Sequence, residues 1–106
     1  MRIAGGNISV EVRDGVLRAR GLPYGRVTRF APPAPAPAWS GERDATRPGP
    51  VCPQRPSRLG FVTGPVLGDL VFDEDCLVVS VTAPTEADGL PVMVWFHGGA
   101  YVAGGG

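Results

Sequence analysis

Lysine is absent from this sequence: all ten basic residues are arginine, and they are spread along the chain against an equal ten acidic residues. A net charge of zero without a basic cluster gives no sign of a nucleic-acid surface or an anionic-membrane footprint. The all-arginine choice reads as coding bias of the source more than as chemistry. An apolar signal core is also missing, because Met1 to Asn7 carries one arginine and no hydrophobic run, and no later run is long enough to span a bilayer. The chain is therefore expected to be soluble and cytoplasmic, with secretion the alternative if its start is incomplete or a disulfide forms. The two cysteines are compatible with one disulfide and equally with a reduced pair. Windows with a helical apolar period are scarce, since 16 glycines, 12 prolines and frequent valine and threonine interrupt them. At 106 residues the chain is long enough for one small domain and short for an α/β enzyme.

What is present is mostly strand and turn. Ile8 to Arg13 alternates apolar and polar residues, Asp14-Gly15 tolerates the positive φ of a two-residue turn, and Val16 to Arg20 resumes an extended pattern. This predicts an antiparallel hairpin. Gly21-Leu22-Pro23-Tyr24-Gly25 is expected to break regular structure. Ala31 to Ala38 alternates with prolines that favour polyproline II and exclude a helix or a central strand. Because it runs straight into Trp39, a costly residue to expose, it is read as a coat strapped across a packed surface. Ser40 to Thr46 is polar and turn-like, and Pro48, Pro50 and Pro53 keep the chain irregular as far as Arg58. Leu59 to Leu70 has the composition for one short strand. Asp73-Glu74-Asp75 reads first as a solvated turn. Cys76 to Ala83 is β-branched and apolar and predicts a core strand. No internal repeat occurs.

The most telling stretch is Pro91-Val92-Met93-Val94-Trp95-Phe96, a nearly continuous apolar run of a buried strand, leading into His97-Gly98-Gly99-Ala100-Tyr101. Taken alone, the glycine segment is either a flexible turn or a loop whose backbone N–H groups face the oxyanion of an acyl-transfer intermediate.

Several landmarks taken in order resemble the type-B carboxylesterase family, the cholinesterase-like branch of the α/β-hydrolases. Gly21-Leu22-Pro23-Tyr24 is similar to the family's G-I-P-Y element, and Arg29-Phe30 followed by prolines to its R-F-x-x-P stretch. Trp39-Ser40-Gly41, Arg43-Asp44-Ala45-Thr46 and Gly49-Pro50-Val51-Cys52-Pro53-Gln54 resemble its W-x-G, R-D-A-T and G-P-x-C-P-Q segments. Glu74-Asp75-Cys76-Leu77, with Val81 and Pro84, resembles E-D-C-L-x-L-N-V-x-x-P. His97 to Tyr101 resembles the H-G-G-[GA]-[FY] oxyanion motif.

The resemblance implies the fold class α/β: the chain would be an incomplete N-terminal part, over residues 1–106, of a single α/β-hydrolase domain. This part would be mostly β, an antiparallel hairpin plus core strands. It implies an ester hydrolase acting on a small-molecule ester, with no metal or organic cofactor, no nucleic-acid or membrane partner, and an oligomeric state left open. Gly99 and Ala100 would supply oxyanion N–H groups, with Gly98 permitting the turn and His97 shaping the loop. Cys52 and Cys76 would form a disulfide, and Arg29 would pair with Glu74 to tie the strand-entry loop to the proline-rich coat.

Departures matter as much. Ser80 replaces the usual Asn, and the loop between Gly25 and Arg29 lacks the family's A-x-P-P-x-G-x-L, which implies a remodelled gorge rim. None of Ser9, Ser40, Ser57 or Ser80 lies in the G-x-S-x-G context of a nucleophile elbow, and no second histidine is present to act as base. The segment is thus expected to stabilise an oxyanion without catalysing a reaction by itself. The competing readings are a non-catalytic cholinesterase-like binding or adhesion module and a free-standing small β-domain.

Overall fold

The computed structural model describes residues 1–56, 62, 64 and 69–105. The strand expected within Leu59–Leu70 falls largely outside the described residues. Eight strands run through the described part: β1 (Arg2–Ile3), β2 (Gly6–Ser9), β3 (Glu11–Arg13), β4 (Val16–Pro23), β5 (Gly25–Arg26), β6 (Ala34–Pro35), β7 (Glu42–Asp44) and β8 (Val78–Pro84). The fold of this segment is accordingly mostly β.

The hairpin forms where local sequence places it. β3 and β4 pair antiparallel with Glu11 opposite Arg18, Val12 opposite Leu17 and Arg13 opposite Val16. Asp14 and Gly15 carry φ of 51° and 73°, the left-handed pair of a two-residue hairpin turn. The first arm is nevertheless divided at Val10. Gly6–Ser9 leaves the hairpin and joins a separate sheet of order β1-β2-β7, whereas β3-β4-β8 forms the second sheet and β5-β6 a short third one.

Two segments expected to be irregular are ordered by pairing. Gly21 does not end the strand: β4 continues to Pro23 across a register shift between Ala19 and Leu22, with Gly21 at φ 64° as the bulge residue. Glu42–Asp44, expected as turn, pairs parallel with β2 through Asn7↔Glu42, Ile8↔Arg43 and Ser9↔Asp44. Long-range pairing of this kind overrides local composition.

The core lies where these sheets meet. Ile8, Ala19, Leu22 and Ala45 are buried together, and Ile3, Val10, Leu17 and Trp39 pack against them. Trp39 lies half-buried over Gly5 and Gly6, its indole N–H donating to Asn7 O at 2.8 Å. The Arg43 guanidinium stands 5.4 Å from the indole centroid. The strap reading of the proline-rich stretch is thereby given a physical form: the coat ends in an anchored tryptophan, and its Ala34–Pro35 pairs with Gly25–Arg26.

The C-terminal part differs from expectation. Val78–Pro84 is a strand, yet among the described residues it pairs only with β4, and Val79 and Val81 remain exposed. Pro91–Phe96 is not a buried strand; Met93 is 90% exposed and Trp95 81%. A buried strand needs neighbours along both edges and cover on both faces, and no described element pairs with this one.

Candidate active site

The glycine segment after Phe96 closes into a tight turn. Gly99 O accepts hydrogen bonds from Val102 N at 3.0 Å and Ala103 N at 3.1 Å. Between them Ala100 and Tyr101 have φ of 53° and 61°, the positive values required at both central positions of a type I′ turn. For residues with a Cβ this region costs free energy, which the turn's hydrogen bonds must offset. Gly99 itself sits at φ 132°, and a Cβ there would collide with Ala103 O. Gly98 has neither constraint: its φ is not positive and a Cβ would meet nothing within 4 Å. The conformational demand expected at Gly98 falls on Gly99.

The direction of the N–H groups follows from peptide planarity. Among the described residues every peptide is trans, so each N–H points opposite to the carbonyl of the same unit. Gly99 O faces into the turn, and Ala100 N–H therefore points out of it. Gly98 O lies 2.8 Å from His97 Nδ1, so Gly99 N–H points away from the imidazole. A carbonyl can only accept, so Nδ1 is the donor in this contact. No described group accepts a hydrogen bond from either N–H.

A residue to which sequence reasoning assigned no role ties this turn to the rest of the molecule. Gln54 Nε2 donates to Gly104 O at 2.7 Å, and Gly104 N donates to Gln54 Oε1 at 2.7 Å. The same Nε2 donates to Cys52 O at 3.1 Å. Gly104 lies against the His97 ring so closely that a Cβ on it would come within 2.5 Å of Nδ1. The only signal in the sequence was the position of Gln54 inside the G-P-x-C-P-Q segment.

Arg29 Nη2 donates to Glu74 Oε1, joining the entrance of the proline-rich coat to the acidic loop. Both side chains are more than half exposed, at 68% and 55%, so the pair is an exposed one. Beside it Asp73 Oδ1 accepts from Asp75 N at 2.9 Å, and Asp73 N donates to Val51 O at 3.0 Å. The cluster is therefore a structured turn.

Cys52 and Cys76, the disulfide implied by the resemblance, are both free in this structure. They are neighbours all the same. Burial pushes the Cys76 thiol up from its ordinary value, and the charge and hydrogen bonding of Cys52 push it further. No crosslink joins Cys52 and Cys76 in this structure.

The R-D-A-T segment holds the sheets together residue by residue. Arg43 covers Trp39, Ala45 is buried in the core, and Thr46 O accepts from Arg20 Nη1 at 3.2 Å. Asp44 Oδ1 accepts from Thr46 N at 2.9 Å and Thr46 Oγ1 at 2.7 Å, bonds that hold its carboxyl below the usual carboxylate range. Among the described residues no cluster of three or more His, Cys, Asp or Glu could hold a metal, and no helix is long and apolar enough to cross a membrane.

The fold places the chain among the α/β-hydrolases, for the solved structures similar to it are α/β-hydrolase carboxylesterases. A PNB esterase matches 97% of this chain with 22% of its own length, at a TM-score of 0.80 and 38% identity. An esterase of Clostridium hathewayi that hydrolyses aliphatic aromatic polyesters matches 97% of the chain with 21% of its own, at a TM-score of 0.78 and 29% identity. The carboxylesterase family model covers residues 2–106, and the chain belongs to that family. Among curated relatives, the para-nitrobenzyl esterase of Bacillus subtilis is 41% identical over 106 residues, 95% of this chain and 21% of that protein. Carboxylesterase 1E of Mus musculus is 44% identical over 90 residues, 73% of this chain and 15% of that protein. The chain thus spans about a fifth or less of the relatives it matches.

Proposed function

We propose that this chain is the oxyanion-stabilising segment of a serine carboxylesterase of type B. The observation that carries the reading is the pair of adjacent N–H groups at Gly99 and Ala100, turned outward by a fixed glycine turn and unclaimed by any described acceptor. In the complete reaction a serine outside these residues attacks the ester carbonyl and a histidine relays its proton. The two N–H groups then hold the negative charge that develops on the carbonyl oxygen. His97 contributes through its bond to Gly98 O as a shaper of the loop, not as the base.

The 106 residues alone are proposed to be inactive, since no serine here lies in a G-x-S-x-G elbow. The test is turnover of p-nitrophenyl acetate by the purified chain and by a hybrid in which residues 2–106 replace the matching segment of the Bacillus subtilis para-nitrobenzyl esterase. The expected result is turnover by the hybrid only, lost in its Ala100→Pro variant, which removes that N–H and, with φ locked at about −65°, cannot keep the positive φ of the turn. Turnover by the isolated chain, or a fully active Ala100→Pro hybrid, contradicts the reading.

A further inference from the structure

We infer that Gln54 is a positioning residue for the oxyanion donors, acting through Gly104 and His97. The inference rests on the oxyanion reading above and extends it to a residue on a different segment, 50 positions upstream of the one it grips.

The contacts form an unbroken series. Gln54 is held by Cys52 O and spends the rest of its amide on Gly104, one bond in each direction at 2.7 Å. Gly104, at φ 124°, lies so close to the His97 ring that no side chain would fit there. The ring so placed donates from Nδ1 to Gly98 O. That bond fixes the plane of the Gly98–Gly99 peptide and with it the direction of Gly99 N–H. Gln54 is the only side chain from outside the 97–104 segment bonded to it among the described residues.

The chemistry of glutamine suits the position in a way its analogues do not. Gly104 offers one donor and one acceptor side by side, and Cys52 O offers a second acceptor. A primary amide meets all three with two N–H hydrogens and one oxygen. Leucine meets none. An ionised glutamate keeps the acceptor for Gly104 N–H but has no donor, and it brings a negative charge against the carbonyls of Cys52 and Gly104. A protonated glutamate regains one donor.

The experiment uses the same full-length hybrid, assayed with p-nitrophenyl acetate. Gln54→Leu is expected to lower kcat about 10- to 100-fold, at most the loss of one oxyanion donor, with KM within about threefold. Gln54→Glu is expected to show a pH signature. Its kcat, taken as a ratio to the parent at the same pH, rises as pH falls toward about 4, because protonation of the carboxyl restores a donor. The ratio cancels the titration of the catalytic base, and a merely structural role would leave it flat. A folded Gln54→Leu hybrid with kcat within twofold of the parent overturns the inference, as does a flat ratio for Gln54→Glu. If Gln54→Leu fails to fold, the Gln54→Glu series decides alone. Loss in Ala100→Pro beside a silent Gln54 sinks only the positioning role, whereas silence in Ala100→Pro sinks the oxyanion reading and this inference with it.

Discussion

Gly21 and Gly49 meet backbone to backbone: a Cβ on Gly49 would stand 2.8 Å from Gly21 Cα, and one on Gly21 would stand 3.0 Å from Gly49 Cα. The bulge of β4 and the segment leading to Gln54 can approach this closely only because both residues lack a side chain. Gly49→Ala must push against Val78 as well, whose Cγ2 is 2.8 Å from the same point. In the full-length hybrid it is expected to cost about 1–3 kcal/mol by overpacking, read as a lower denaturant midpoint at unchanged slope.

Trp39 secures the end of the proline-rich coat by packing and by one hydrogen bond to Asn7 O. Trp39→Phe keeps most of the ring and removes the donor, and is expected to cost about 1 kcal/mol. Arg43→Ala removes the guanidinium above the indole, worth about 0.5–1 kcal/mol at an exposed site. A double-mutant cycle with Trp39→Leu should return a coupling of that size.

The Arg29–Glu74 pair stands in water on both sides, so its coupling is expected to stay below about 1 kcal/mol. Arg29→Met and Glu74→Leu, singly and together, measure it. Strict additivity would show that the contact fixes nothing, and a coupling of several kcal/mol would require a buried pair.

Asp44 gives the acid limb of stability a definite sign. Its folded pKa lies below the ordinary value of 3.8, through the two bonds from Thr46. The contribution is therefore complete above the unfolded pKa and is lost as pH falls through the lowered folded value. Asp44→Asn should flatten the decline of stability below about pH 4 and leave the region near neutrality without added slope. Unfolding midpoints measured across this range check it.

Cys52 is exposed, whereas Cys76 is half-buried with its thiol pushed up. Iodoacetamide is expected to label Cys52 well before Cys76, because the thiolate is the nucleophile and is scarcer at a raised pKa. Peptide mapping after timed quenching distinguishes the two. Failure of both to react before reduction would mean that the crosslink forms in solution.

Much of this was legible locally. Asp14-Gly15 specifies its hairpin because the turn residues and the alternation beside them are all the information such a unit needs. Glu42–Asp44 was not legible, since nothing in Glu-Arg-Asp announces a strand; its order comes from β2, more than thirty residues away, with Ser9 O accepting from Ala45 N at 3.0 Å. Pro91–Phe96 shows the opposite case. Its apolar run is the pattern of a buried strand, but burial is a property of neighbours, and no described residue supplies them. Gly99 and Ala100 were legible as a loop motif, whereas the division of labour between Gly98 and Gly99, and the grip of Gln54, required the actual φ values and distances.

The central claim concerns one N–H group, and it can be removed without touching a side chain. Replacing the Gly99–Ala100 amide by an ester, with lactic acid in place of Ala100, deletes that donor and leaves the turn's bonds to Gly99 O with the same partners. The account expects kcat of the hybrid for p-nitrophenyl acetate to fall about 100-fold or more with KM little changed. An ester-substituted hybrid with kcat within twofold of the parent would contradict it.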